Sequence, residues 1–206
     1  MRSDPAHARA VEAVDVSRAV LFVVRHADAG PRSERPDDHA RPLTAVGRDQ
    51  ARGVAHLLGS APAGEILSSP YTRCVETLVP LAARRGRRVA VAESLAEGAA
   101  IEGLLGLLDR VADGSVVCTH GDMLLGLIDA IDDADARSWP AGSFDKGVTW
   151  VLERARGGIC VVEVIRPSVV ETSAPTAPHQ PGPPPQNEAR WMRALTCSYA
   201  WRCGDR

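Results

Sequence analysis

The run Val20–Val24 (VLFVV) constrains the fold of this chain more than any other feature, because Arg25 and His26 follow it at once. A short apolar run rich in β-branched residues predicts a strand buried on both faces, as in a parallel or mixed sheet. Such a strand carries the residues after it to the carboxyl edge of the sheet, where α/β folds place their ligand sites. We therefore expect a layered α/β domain with Arg25 and His26 at that edge.

Further strand and helix patterns alternate along the chain. We expect strands at residues 65–68, 87–92 and 115–119, and a terminal hairpin made of residues 148–153 and 159–165. We expect helices from the N-cap Thr44 to Gly59, from Ser69-Pro70 to about Arg84, and over residues 101–111 and 122–131. This order predicts the α/β fold class, as a three-layer α/β/α sandwich with a mostly parallel central sheet.

The composition separates one domain from two flanking segments. Residues 167–206 contain seven of the 15 prolines and no sustained periodicity, which predicts a disordered Pro-rich tail. Residues 1–18 carry acidic side chains and no apolar stretch, so we interpret them as an N-terminal extension and not as a signal peptide. The domain itself is expected at residues 19–166.

Charge and hydropathy exclude several classes of partner. The net charge of −2, from 24 basic and 26 acidic residues, gives no overall attraction to nucleic acid or anionic lipid. No apolar run reaches the roughly 18 residues that cross a bilayer. The five cysteines are scattered without a CxxC pair, so the pattern indicates neither a disulfide framework nor a zinc site. We expect a cytoplasmic protein without nucleic-acid or membrane partners; the sequence leaves its oligomeric state open.

Four basic side chains are expected to meet at the carboxyl edge of the sheet. The second strand leads into Arg73 in the first turn of a helix, and the fourth strand ends at His120 just before another helix. With Arg25 and His26 they would lie beside helix N-termini, which favour anions. Arginine donates to two phosphate oxygens at once, and a histidine nitrogen can attack phosphorus. The pattern predicts a site for phosphoryl transfer.

A phosphoryl transfer also needs a proton for the leaving oxygen, which a carboxylic acid usually supplies. Glu97, in the loop after the third strand, is the leading candidate, and Asp28, two residues beyond His26, is the alternative. The basic residues of the loop after the first strand are expected to be solvated, although they could border the pocket: Arg32, Arg35 and Arg41.

Five motifs in sequence order carry a family resemblance: LFVVRHADAG, RPLTAVGRDQA, SSPYTRCVET, LAEGA and VVCTHGD. Together they resemble the histidine phosphatase superfamily, which has the phosphoglycerate mutase-like fold, over roughly residues 19–166. The sequence looks closest to a small branch that contains SixA-type phosphohistidine phosphatases and the phosphatase-like domain fused to some bacterial Nudix hydrolases. The segment KGVTWVLE (residues 146–153) is also similar to that second group.

The resemblance implies a role for each residue at the edge. His26 matches the nucleophile, Arg25 and Arg73 match the phosphate clamp, His120 matches the second pocket histidine, and Glu97 falls at the place of the acid. It implies a phosphatase without metal or other cofactor, acting through a phosphohistidine intermediate on a phosphohistidine protein or a phosphorylated small molecule. Ala27 stands where the family has glycine.

Two other interpretations fit parts of the sequence. A phosphate-binding or regulatory domain of the same fold without turnover is the alternative to an enzyme. A metal hydrolase could use the two H-x-D pairs that begin at His26 and His120, because imidazole and carboxylate bind divalent ions. Two arginines pressed against such a site would oppose a cation, so we expect no metal site.

Overall fold

The structure, a computed structural model, describes residues 18–32, 37–131, 140–155 and 158–167. Apart from Arg18 and Pro167, the N-terminal extension and the Pro-rich tail lie outside the described residues, so the domain boundaries stay predictions. None of the helices in the described ranges is both long enough and apolar enough to cross a bilayer.

A single sheet forms the middle layer of the described structure. Its strands are β1 (Ala19–Arg25), β2 (Ile66–Ser68), β3 (Ala90–Val91), β4 (Val116–Thr119), β5 (Thr149–Ala155) and β6 (Gly158–Ile165), in the order β3-β2-β4-β1-β5-β6. The first four strands pair in parallel, whereas β5 is antiparallel to both β1 and β6. The sheet is therefore mixed, and the prediction of a mostly parallel sheet is wrong. The reason is that the terminal hairpin, which the sequence predicted, joins the sheet with its first strand β5 antiparallel to β1.

Within the part of the chain that the structure describes, four α-helices cover the two faces of the sheet: α1 (Ala45–Leu58), α2 (Thr72–Arg84), α3 (Ile101–Arg110) and α4 (Gly121–Ala130). Alternate residues of β1 point to opposite faces, as the strand period of two requires. Leu21 and Val23 pack in the core under α3 and α4, whereas Phe22 and Val24 pack in the core under α1 and α2. The predicted three-layer α/β/α architecture is confirmed.

The ends of the elements show where local sequence signals succeed and fail. The hydroxyl of Thr44 accepts the backbone N–H of Gly47 at 3.0 Å, so it caps α1 as expected. In contrast, α2 begins at Thr72 with Tyr71 as its N-cap, and not at Ser69-Pro70 as predicted. The hydroxyl of Ser69 lies 2.8 Å from the Nε2 atom of His120, so this serine serves the site.

The cysteines follow the sequence expectation only in part. Cys74 and Cys118 are buried free thiols. Cys160, in β6, is disulfide-bonded, which the scattered cysteines of the sequence did not predict.

Candidate active site

A cavity of about 700 Å³ opens at the carboxyl ends of β1 and β4 and at the start of α2. Most of the side chains that line it are titratable, and five of them are cationic. They are Arg25, His26, Arg32, Arg41, Arg73, Glu97, His120, Asp122 and Lys146. The structure thus brings all five predicted site residues to one place, together with further cations.

His26 directly follows β1 and is almost completely buried, with 3% of its surface exposed. Its Nδ1 atom lies 2.8 Å from the carbonyl oxygen of Ala27. Because a carbonyl only accepts, this contact places the proton on Nδ1 and leaves an electron pair on Nε2. Burial, together with the positive charges of Lys146 and Arg73, lowers the pKa of His26 to about 2. At neutral pH the imidazole is therefore uncharged, as a nucleophile must be.

Arg73 links the two histidines. Its guanidinium donates from Nε to His26 Nε2 at 3.3 Å and contacts His120 Nδ1 through Nη2, also at 3.3 Å. The Nη1 atom donates to the carbonyl oxygen of Asp38 at 2.8 Å, and the guanidinium carbon lies 4.5 Å from the centre of the Tyr71 ring. These contacts fix a fully buried cation between the two imidazoles.

His120 is the N-cap residue of α4, so its side chain stands at the positive end of that helix. The ring centroids of His26 and His120 are 5.3 Å apart. Because a guanidinium only donates, the contact with Arg73 makes Nδ1 of His120 the acceptor and leaves the proton on Nε2, which faces Ser69. The Nδ1 atom also lies 3.9 Å from Oε2 of Glu97, which lines the cavity.

Arg25 closes the opposite side of the cavity. Its Nη1 atom donates to the carbonyl oxygen of Phe144, while its Nε atom is buried and has no hydrogen-bond partner within the described residues. Gly121 makes room for this guanidinium, because a Cβ atom there would lie 2.9 Å from Nη2 of Arg25. Burial lowers the pKa of Arg25, so a nearby anion would relieve an unfavourable desolvation.

The two candidate acids occupy different surroundings. The Oε2 atom of Glu97 accepts from Arg73 at 2.8 Å and from Arg32 at 2.6 Å, at the wall of the cavity. The carboxylate of Asp28 accepts instead from the hydroxyl of Thr44 at 2.6 Å, and Asp28 does not line the cavity. Of the two candidates, only Glu97 lines the cavity.

Charged side chains of the loop after β1 form more hydrogen bonds and ion pairs within the structure than the sequence suggested. Arg41 is buried, donating to Asp38 at 2.7 Å and to the carbonyl oxygens of Ala29 and Gly30 at 3.1 and 2.6 Å. Burial raises the pKa of Asp38, but its hydrogen bonds with Arg41 and Arg32 and the charge of Arg73 outweigh this and lower it to about 2. The expectation of a solvated Arg41 is wrong, because this side chain ties the loop together.

The other two arginines of that loop differ from Arg41. Arg32 is exposed but lines the cavity through its ion pair with Glu97, and Arg35 lies outside the described residues.

Ala27, where the family pattern has glycine, is accommodated without crowding the site. Its methyl group packs in a small apolar cluster with Ala29, Leu43 and Ala51, and its N–H donates to the hydroxyl of Thr77 at 2.9 Å.

Lys146 is the site residue that sequence reasoning missed. Its Nζ atom lies 3.1 Å from Nε2 of His26, in the wall of the same cavity. One signal could have found it: Lys146 is the only lysine of the chain, against 23 arginines, and it opens the segment KGVTWVLE that carried part of the resemblance.

The described residues contain no group of three or more His, Cys, Asp or Glu side chains that could hold a metal ion. Both H-x-D carboxylates have other partners: Asp28 accepts from Thr44, and Asp122 accepts the N–H of Gly98 at 2.8 Å. The second of these bonds holds the loop that carries Glu97 against the start of α4.

Residues 21–105 match the family model described as the histidine phosphatase superfamily (branch 1). The match covers 85 of the 206 residues and assigns this segment to the histidine phosphatase superfamily. The matched segment contains Arg25, His26, Arg73 and Glu97, while His120 and Lys146 reach the site from later elements.

Solved structures of other phosphatases have the same fold. One from Agrobacterium tumefaciens, assigned to the phosphohistidine phosphatase SixA, superimposes with a TM-score of 0.60 at 21% identity, covering 73% of this chain and 99% of that one. A protein histidine phosphatase SixA complexed with tungstate superimposes with a TM-score of 0.58 at 21% identity, covering 72% and 97%. At this level of identity the similarity shows the fold.

A relative of more similar sequence is an 8-oxo-(d)GTP phosphatase of Mycolicibacterium smegmatis. It is 32% identical over 161 residues, which make up 74% of this chain and 49% of the relative. The chain thus spans about half the length of this relative. The resemblance to a domain fused to Nudix hydrolases stays a prediction.

Proposed function

We propose that this protein is a metal-independent phosphatase that hydrolyses phosphomonoesters or phosphoramidates through a phosphohistidine intermediate on His26. The observation that carries the proposal is the environment of His26 Nε2. This unprotonated nitrogen faces a cavity in which Arg73 and Lys146 place cationic donors within 3.3 Å of it. A nucleophile surrounded by positive charge is suited to attack a group that brings negative charge.

In the first half-reaction, the non-bridging oxygens of the substrate would accept hydrogen bonds from Arg25 and Arg73. His120 would add a third once a proton on Nδ1 turns that atom from an acceptor of Arg73 into a donor. The electron pair of His26 Nε2 attacks phosphorus, forming a P–N bond as the P–O or P–N bond to the leaving group breaks. The leaving atom takes a proton from Glu97. The unpaired Nε–H of Arg25 supports this arrangement, because a phosphoryl oxygen would supply the partner that the described residues do not.

In the second half-reaction, water attacks the phosphohistidine. Glu97, now a carboxylate, accepts the proton of that water, and the P–N electron pair returns to His26 Nε2 as inorganic phosphate leaves. The ion pair between Glu97 and Arg73 means that the incoming substrate must first replace this carboxylate on Arg73. Once released, Glu97 can take up the proton that the first half-reaction consumes.

For the substrate, we favour a phosphohistidine side chain of another protein. An open cavity at the edge of the sheet suits a phosphoryl group presented on a protein surface, and the SixA structures are named for that activity. A nucleotide is the second candidate, because a relative is named an 8-oxo-(d)GTP phosphatase and the exposed Leu125 at the rim of the cavity could contact a base. A domain that binds phosphate without turnover is the non-enzymatic alternative.

Trapping the intermediate tests the proposal. We expect rapid quenching with a ³²P-labelled aryl phosphate to leave acid-labile, alkali-stable label on the wild type and none on His26→Ala. The control is His56→Ala, which changes an exposed histidine of α1 and should label like the wild type. Undiminished labelling of His26→Ala would refute the assignment of the nucleophile, and a wild type that binds phosphate without turnover would support the binding domain.

A substrate panel then distinguishes the candidates. A phosphohistidine protein, an 8-oxopurine nucleotide and a sugar phosphate are compared at equal concentration by release of inorganic phosphate. We expect the highest kcat/KM for the phosphohistidine protein; a higher value for the nucleotide would establish the second candidate instead.

A further inference from the structure

Lys146 is a cation of the cavity that neither of the proposed half-reactions uses. The ammonium group of Lys146 is 3.1 Å from the nitrogen that would attack phosphorus, and the Nε atom of Arg73 is 3.3 Å from it. No carboxylate of the described residues forms an ion pair with it. A half-buried ammonium without a counter-ion, aimed at a nucleophile, would be costly unless an anion joins it.

Backbone hydrogen bonds hold the turn that carries Lys146 next to His26. The N–H of Gly147 lies 3.2 Å from the carbonyl oxygens of both Arg25 and His26, and the N–H of Arg25 donates to the carbonyl oxygen of Val148 at 3.0 Å. Gly147 adopts a φ of +78°, a conformation that side chains with a Cβ rarely reach. This turn before β5 therefore holds the lysine in register with the end of β1.

The position of the ammonium decides what it could contact during the reaction. In an in-line displacement, the attacking and leaving atoms lie on opposite sides of phosphorus, and the three other oxygens lie between them. A group beside the attacking nitrogen is close to those equatorial oxygens and far from the leaving atom. Glu97 and His26 contact different nitrogens of the same guanidinium: Glu97 accepts from Nη2 of Arg73, and His26 accepts from Nε. The lysine is thus placed for charge stabilisation and not for protonating the leaving group.

We propose that Lys146 is a further catalytic residue of this site, whose ammonium group binds a non-bridging oxygen of the phosphoryl group as it moves onto His26. The inference rests on the proposed function. In the free protein the same ammonium donates to the electron pair of His26 Nε2, and the incoming phosphoryl oxygen replaces that contact. Lysine suits the exchange because its compact head has three donors that turn freely on a flexible stem.

The surroundings of Lys146 also predict a pH dependence. Burial and the charges of Arg25, Arg73 and Arg41 lower the pKa of Lys146 to about 8, and the carboxylate of Asp28 raises it in part. His26 also faces the ammonium and stays uncharged over this range. The charged form of Lys146 prevails below this pKa, so kcat/KM should fall as the pH rises through about 8.

Two substitutions test the role by kinetics. Lys146→Met removes the charge and keeps an unbranched side chain, and we expect kcat/KM for an aryl phosphate to fall about 10²-fold. Lys146→Arg keeps a charge that does not titrate, so it should recover most of the activity and lose the decline above the lysine pKa. The matched control, Arg110→Met, changes an exposed cation at the end of α3 and should behave as the wild type.

A direct measurement separates this inference from the proposed function. Since the chain has one lysine, protein labelled with ¹³C and ¹⁵N in lysine gives one Cε–Nζ correlation in NMR spectra. Adding tungstate or inorganic phosphate should shift this signal and raise the pKa of Lys146.

An unchanged signal while the anion binds would overturn the inference, as would a Lys146→Met enzyme as active as the wild type. A wild type that neither turns over nor labels would overturn the proposed function, and the NMR titration would still show whether Lys146 binds the anion.

Discussion

Replacing Arg73 tests how much of the activity depends on the guanidinium between the two histidines. Its Nε atom lies 3.3 Å from His26 and its Nη2 atom 3.3 Å from His120, so a phosphoryl group between the rings would accept two charged hydrogen bonds from it. A hydrogen bond to a charged group contributes about 1.5–3 kcal/mol, which sets the range for the pair at roughly 3–6 kcal/mol.

Two features of the site favour the lower part of that range. Arg25 and Lys146 line the same cavity and would share the charge of the transition state, and water can enter the space that Arg73→Ala leaves. Loss of one oxyanion donor in other enzymes corresponds to about 2.7–4 kcal/mol, a fall in kcat of about 10²–10³-fold. Arg73→Lys, with one charged group and no planar fork, should lie between Arg73→Ala and the wild type.

The assay is the steady-state hydrolysis of an aryl phosphate, with the thermal midpoint of unfolding as a check of the fold. The chain should fold without Arg73, because the side chains of both its acidic partners, Asp38 and Glu97, are partly exposed, by 22% and 31%, and can be hydrated. A folded Arg73→Ala protein whose kcat stays within about threefold of the wild type would refute the assignment of Arg73 to the transition state.

Three further outcomes are expected from the same assay. Glu97→Gln should lower the rate of hydrolysis about 10²-fold for substrates with poor leaving groups and leave it unchanged for activated aryl phosphates. Asp28→Asn should leave the rate unchanged for both classes of substrate. If Glu97→Gln lowered both rates equally, Glu97 would not be the acid. Activity should survive dialysis against EDTA, and its recovery only on adding a divalent ion would contradict metal-independent chemistry. Gly121→Ala should lower kcat/KM about tenfold, because the new methyl group displaces the flexible end of Arg25. The thermal midpoint of unfolding should change little. An unchanged kcat/KM would show that the position of the Arg25 guanidinium beside Gly121 is not needed for activity.

The fold could be predicted from sequence where a local pattern and a tertiary requirement agree. The run Val20–Val24 became the inner strand β1, and Thr44 caps α1, because each signal depends on residues next to it. The direction of β5 could not be read in this way, since strand direction follows from how the terminal hairpin docks beside β1. The start of α2 was misplaced because the Ser69 hydroxyl bonds to His120, a residue 51 positions away.

In the site, too, some residues could be predicted from local sequence signals, and others depend on tertiary contacts. The residues that directly follow β1 and β4 were predicted to meet, because the ends of parallel strands share an edge. Lys146 was missed and Arg41 was expected to be solvated, because both come from loops, and loop residues converge only through contacts that the sequence does not display. Arg41 is bonded to carbonyl oxygens of its own loop, and Lys146 is held by the amide of the following glycine.

The ion pair between Glu97 and Arg73 has a consequence for turnover. A carboxylate already bound to the arginine competes with every incoming oxyanion, including the inorganic phosphate that the proposed reaction would release. Tethering raises its effective concentration, so it can return to the arginine as soon as phosphate loosens. Without this carboxylate, a pocket this rich in positive charge would bind inorganic phosphate tightly; by displacing the phosphate from Arg73, Glu97 promotes product release.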